Sequence, residues 1–355
     1  MHTETMDRQA FEFVAKAMEQ LDEYNRDHQL SYLKDAESVL TQAIRRDSQY
    51  LDASLYAGVV KDLIGKPADA VQFFDAILSN LPKDGESRRD EVQYSRGVAW
   101  YHQYSHRKLE RAEPDFLAVV NRSRDRGLKL LARAGLAQTY AMWMIPNTTQ
   151  KENLLKTKGA AELEFIKEKR DKCLEQIELA NAEKLPRFGF NRSKKLGSPL
   201  SVSIQGTVLN AHGMCTMYWT DYNVKENDKR HDFLLEAIRY LEEADRYLPG
   251  DWANTCDLGS AHFRLAVVTR ESGGASDPEF KKALDLFQKV IDDLRPNYGF
   301  GFYEMGRICR VWQRFDDAKA YFGKSLDIPR EYRDTGDDTV KFELDRAEKG
   351  DSSFP

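Results

Sequence analysis

Residues 50–82 read YLDASLYAGVVKDLIGKPADAVQFFDAILSNLP. Ala57 and Gly58 lie midway along one apolar-periodic segment, Gly65-Lys66-Pro67 interrupts it, and a second segment carries Ala70, Phe74, Ile77 and Leu78 on one face before Pro82 ends it. Apolar residues three and four positions apart share a helix face, so this spacing predicts two short helices joined by a turn. Glycine accepts positive φ at such a turn, and proline suits the first turn of the helix that follows. Two helices that cross closely need small residues where the backbones touch, and Gly58 and Ala70 are placed for that contact. A lone pair of this kind cannot bury its apolar face, so it has to stack on neighbours.

The arrangement resembles the tetratricopeptide repeat. In that family a small residue of the first helix is followed at plus twelve by Ala, at plus sixteen by an aromatic, at plus nineteen by Ala and near plus twenty-four by Pro. Here those places hold Gly58, Ala70, Phe74, Ile77 and Pro82. Ile77 departs from the small residue, and Ser54 stands where the family has an aromatic. The pattern recurs. Small residues fall at Gly97, Gly135, Gly213, Gly259 and Gly306, and the stretch from Phe300 to Pro329 restores the spacing with Ala318, Phe322, Ser325 and Leu326. About seven helical hairpins are expected, with units longer than the family's ~34 residues and irregular loops.

Taken in order, Ala10–Leu21 and Leu33–Ile44 are expected to form a degenerate first pair with Tyr24 in the small place. A polar loop follows at 83–89. A second helix is expected around Ala112, Phe116 and Val119, and 151–167 reads as an inserted helix ahead of Cys173, Ile177 and Ala180. Residues 186–203, PRFGFNRSKKLGSPLSVS, lack an apolar period and read as a loop. Phe233–Tyr247 and Phe280–Leu294 are expected as second helices, Ser272-Gly273-Gly274 as a turn, and 338–349 as a capping helix. The resemblance implies an all-α fold, a right-handed superhelical solenoid of antiparallel helix pairs. Its parts would be repeats over 1–185, the loop 186–203, repeats and cap over 204–349, and a frayed tail at 350–355.

Composition bounds the function. The 355 residues are 41% hydrophobic and 31% charged with net charge −5, which suits a helical protein with long exposed faces rather than a generic nucleic-acid binder. Cys173, Cys215, Cys256 and Cys309 lie far apart with no CxxC pair, which argues against a zinc site and for a reducing, cytoplasmic compartment. The first residues lack the apolar run of a signal peptide, and no run approaches the ~20 residues of a membrane helix.

Candidate chemistry is sparse. His102, His106 and Glu110 stand at i, i+4 and i+8, a face that could bind zinc, but HExxH is absent and a solvated face explains them as well. Cys215, Cys256 and Cys309 fall in first helices, with His212 and His262 nominally near as bases, yet free cysteine is commonly a small buried hydrophobe. No P-loop, GxGxxG or GxSxG signature occurs. The reading is therefore no enzyme, no cofactor and no metal. Two basic clusters stand out: Arg122, Arg124, Arg126, Lys129 and Arg133, and a possible docking loop of Arg187, Phe188, Phe190, Arg192, Lys194 and Lys195. Basic residues interleaved with aromatics can hold nucleic acid; solvated loop charge and protein docking are the competing readings.

In the tetratricopeptide family the first helices line an inner groove, with facing residues at fixed offsets from the small position. Carried over, these are Leu55, Val59 and Leu63; Tyr94, Val98, Tyr101 and His102; Leu136 and Tyr140; Asn210, Met214, Met217 and Tyr218; Ser260, Phe263 and Arg264; Tyr303, Arg307 and Arg310. The line is rich in Tyr, Met and Arg, residue types that carry binding energy at interfaces; packing against the next repeat is the alternative for many of them. The Lys and Asn clamp that some family members use on a chaperone's terminal carboxylate is missing, since Leu55, Val59, Tyr94 and Val98 occupy its places. The resemblance thus implies a protein-interaction scaffold or adaptor holding a partner's peptide, tail or helix, with Arg264, Arg307 and Arg310 meeting acidic groups. A regulatory module binding nucleic acid through 186–203 is the alternative.

Overall fold

Gly65 adopts φ +92°, and Pro67 is the first residue of the helix that follows, so the chain reverses where its sequence places the turn. The computed structural model describes residues 7–27, 29–81, 86–103, 106–145, 160–182, 204–223, 227–295, 298–329 and 336–353. Fifteen α-helices and no strand occur among the described residues.

By internal contacts the chain divides into two units, Met1–Leu136 with Ala180–Val202, and Ala137–Leu179 with Ser203–Pro355. The first unit contains three antiparallel pairs: α1 (Arg8–Asp27) with α2 (Leu30–Arg46), α3 (Leu51–Leu63) with α4 (Pro67–Asn80), and α5 (Glu86–Tyr101) with α6 (His106–Arg122). Each pair leans on the next, α2 on α3 and α4 on α5, and the first helices α1, α3 and α5 touch in series. Helix α7 (Arg126–Trp143) begins in this unit and ends in the other, and α8 (Ala160–Ala182) lies mostly in the second.

The second unit repeats the plan with α9 (Ile204–Asn223) on α10 (Asn227–Tyr247), α11 (Trp252–Glu271) on α12 (Asp277–Lys289), and α13 (Gly299–Val311) on α14 (Phe315–Asp327). Helix α15 (Asp337–Glu348) covers α14 with buried Val340 and Ala347, as a cap would. The first helices α9, α11 and α13 again touch in series.

The glycines set the pair geometry. A Cβ on Gly58 would lie 2.6 Å from Phe74, on Gly213 2.6 Å from Leu241, on Gly259 2.9 Å from Phe287 and on Gly306 2.5 Å from Phe322. Phe116 meets two of them, Gly97 at 3.0 Å and Gly135 at 2.7 Å. Each glycine is a socket for one large side chain of a second helix. Those side chains are at most 1% exposed, which registers the pairs that carry them; α1 and α2 pair without a glycine.

Four expectations are corrected. Helix α5 begins at Glu86, inside the stretch 83–89 read as a polar loop. His102 lies in the turn beyond α5 and His106 opens α6, so the pair shares no helix face. Residues 160–167 belong to the same continuous helix as Cys173 and Ile177, because nothing between Ala160 and Ala182 breaks it. The residues after Gly350 are not frayed as far as Ser353: the Asp351 and Ser353 carbonyls both accept from Arg310, at 2.6 and 2.9 Å. A buried guanidinium needs acceptors, and this segment supplies them. Residues 151–159, the loop 186–203 and its six docking candidates lie outside the described residues.

Candidate functional site

The first helices α9, α11 and α13 place a ladder of polar groups along one line of the second unit. Asn210 on α9 accepts from Gln138 Nε2 at 2.7 Å and donates to Asn254 Oδ1 at 3.0 Å and Asp257 Oδ2 at 2.9 Å. Asn254 donates in turn to the Leu241 carbonyl at 3.1 Å. Asn210 and Asn254 are buried, so this chain of amides is satisfied within the protein. Burial pushes the Asp257 carboxyl up to about 7, against the pull of the Asn210 hydrogen bond.

Farther along, Arg264 Nε donates to Asp221 Oδ2 at 3.1 Å, and its guanidinium lies 5.1 Å from the centre of the Tyr218 ring. Arg307 Nη1 donates to Glu304 Oε1 at 2.7 Å, and its guanidinium carbon lies 5.6 Å from the Phe263 ring centre and 5.7 Å from that of Tyr303. Both arginine side chains keep 14% exposure. The acids fix the planar forks, the rings lie against them, and each side chain keeps a small exposed part.

The remaining expected residues are mostly inside. Tyr140, Met214, Met217, Tyr218, Phe263 and Tyr303 are buried in the second unit, as are Tyr94 and Tyr101 in the first. Burial pushes the Tyr94, Tyr218 and Tyr303 phenols above the usual range. His102 is half-buried, its Nδ1 2.8 Å from Asp62 Oδ2. Arg310 is 0% exposed and held by Glu343 Oε2 at 2.8 Å, so its acidic partner belongs to this chain. Lys169 Nζ lies 4.0 Å from the Trp143 ring centre and 5.7 Å from that of Tyr140.

Asp257, Glu304 and Asp221 were not read from the sequence. Asp257 and Glu304 each stand two residues before a socket glycine, Gly259 and Gly306, and that recurrence is the signal that could have found them. All four cysteines are buried, and burial raises the thiols of Cys173, Cys256 and Cys309. None of those three is an activated thiolate. His262 pairs with Glu279 Oε2 at 2.6 Å across the α11–α12 pair. No cluster of three or more metal-ligating side chains occurs among the described residues. No helix among them is long and apolar enough to cross a membrane.

No protein-family model matches the sequence. No curated protein is similar to it in sequence. Solved structures that resemble it include a tetratricopeptide repeat protein from Parabacteroides merdae, 13% identical over 96% of this chain and 100% of that one, TM-score 0.43. Another is human IFIT1 as a dimer with PPP-AAAA, 14% identical over 97% of this chain and 78% of that one, TM-score 0.45. A third is yeast Tom70, 14% identical over 97% of this chain and 89% of that one, TM-score 0.20. The chain itself is an all-α array of divergent tetratricopeptide-like helix pairs, by the glycine sockets and pair order described above.

Proposed function

We propose that the chain is a non-enzymatic scaffold that holds a segment of a partner protein along the first-helix face of its second unit, in the cytoplasm. The observation that carries this reading is the pair Arg264 and Arg307. Each is oriented by an acid, supported by an aromatic ring and still part-exposed. Preorganised arginines over aromatic rings are the residue combination that dominates binding energy at protein interfaces. They suit acidic side chains or a terminal carboxylate on the partner. Tyr218, Phe263 and Tyr303 form the wall behind them.

The test is affinity enrichment with the full chain, followed by mass spectrometry. It compares wild type with Arg264→Glu, Arg307→Glu, Tyr101→Ala and Tyr218→Ala, each checked for wild-type helicity. The reading expects one enriched protein whose retention falls at least about tenfold in both arginine variants, the loss typical of removing an interface hot spot. Unchanged retention in all four variants removes it. Steeply salt-dependent capture of RNA that needs residues 186–203 would replace it with the nucleic-acid reading.

A further inference from the structure

Two arginines are nearly sealed inside the second unit, and they are treated differently. Arg310 is matched by Glu343 and two carbonyls. Arg295 is 4% exposed, and no carboxylate or carbonyl pairs with its guanidinium among the described residues. Its Nη1 is buried without a hydrogen-bond partner. The guanidinium carbon lies 3.9 Å from the Trp252 ring centre and 4.5 Å from that of Tyr298, and these two rings meet edge-on at 5.2 Å, so both lie against it. Contact with the rings recovers part of the lost hydration, but a buried cation without an anion is costly, and native proteins rarely keep one.

The backbone is shaped to put it there. Helix α12 runs into a π turn, Val290–Leu294, which closes with Arg295 N donating to the Val290 carbonyl at 2.6 Å. Such turns are rare and gather at functional sites. The widened turn delivers Arg295 to Trp252, the first residue of the 20-residue helix α11. The amino end of a helix of that length carries positive partial charge. Asp251, the nearby acid, is engaged as the cap, accepting from Asn254 N at 2.7 Å.

We propose that Arg295, packed against Trp252 and Tyr298 beside the first residue of α11, is the anchor of a phosphate-binding site, for the free anion or a phosphomonoester. A guanidinium with an unpartnered nitrogen, packed on the ring of a helix's first residue, brings together the two features that proteins use to hold phosphate, an arginine cation and a helix amino end. The rings exclude water, so an entering dianion meets the cation in a low-dielectric setting where the hydrogen bond is strong. This site is separate from Arg264 and Arg307, and it stands whether or not they bind a partner.

Isothermal titration of the full chain with inorganic phosphate, and separately with phosphoserine, tests it against sodium chloride of equal ionic strength. Saturable heat with either ligand and none with chloride is expected, and the tighter of the two names the source. Arg295→Gln is expected to weaken binding at least about tenfold, the loss of one charge-assisted hydrogen bond, and Arg295→Lys by less. The wild-type titration decides even if Arg295→Gln does not fold: no saturable heat with either ligand overturns the proposal. Equal affinity in a folded Arg295→Gln overturns it too.

Discussion

Gly306→Ala is the most informative single change for the fold. The new methyl would lie 2.5 Å from Phe322 Cε1, 2.6 Å from Cδ1 and 2.9 Å from Cζ, whereas carbon contacts are favourable near ~3.5–4.0 Å. Phe322 is 0% exposed, so its ring has no free space to retreat into. Forcing a methyl into a well-packed core costs ~1–3 kcal/mol, and a gap short by about an ångström on three atoms belongs at the upper end. Alanine in a helix interior returns about 0.8–1 kcal/mol through propensity. The net expectation is a loss of about 1–2 kcal/mol.

Gly323→Ala is the internal control. It lies on α14, where a Cβ meets nothing within 4 Å, so only the propensity gain remains and the protein should be stabilised by about 0.8–1 kcal/mol. Urea unfolding followed by far-UV circular dichroism reads both. Phe322→Leu in the Gly306→Ala background should recover part of the loss, a coupling of about 1 kcal/mol between residues in contact. If Gly306→Ala stabilises as much as Gly323→Ala does, the socket argument fails for this pair.

Three further outcomes follow from the second unit. Arg310→Met leaves buried Glu343 with Arg346 alone, at 3.3 Å, and strips the Asp351 and Ser353 carbonyls of their donor, so it should destabilise toward the lower end of the ~3–5 kcal/mol of a broken buried pair, while Arg310→Met with Glu343→Leu should cost less, read in the same urea titration. The Asp257 carboxyl is raised from its ordinary 3.8 to about 7, so the stability it contributes is present below 3.8 and is lost as pH rises through about 7. Thermal melts between pH 5 and pH 8 should show that decline in wild type and a flatter profile in Asp257→Asn. Iodoacetamide should leave Cys173, Cys256 and Cys309 unmodified in the folded chain and label all of them in urea; one rapidly labelled thiol would reopen the reading of a cysteine nucleophile.

The pairing of helices was legible because it rests on local chemistry. A glycine at 58, 213, 259 or 306 and a large apolar residue one helix later have to meet if both are to be buried, and the period of each helix says which face does so. Ends were harder to read. Helix α5 ends at Tyr101 and α6 begins at His106 without Gly or Pro to mark the break, and the π turn at Val290–Leu294 has no sequence signature. The candidate site was half legible. Offsets from the glycines found Arg264 and Arg307, but they also gathered Met214, Met217 and Phe263, which are buried against neighbouring helices. Periodicity identifies the inward side of a helix and does not separate a residue covered by the next helix from one left at the surface. The acids that orient the arginines come from elsewhere along the helices: Asp221 near the end of α9, and Glu304 one turn before Arg307. The second pair is an i, i+3 spacing within reach of the sequence, whereas Asp221 and Arg264 stand on different helices and only coordinates pair them.

Hydrogen exchange of the full chain, with and without the enriched partner, tests the central claim most directly. New protection is expected in α9, α11 and α13 around residues 214–218, 260–264 and 303–307, with α10, α12 and α14 unchanged. Protection confined to the second helices or to 186–203, with the first helices exchanging as before, would contradict it.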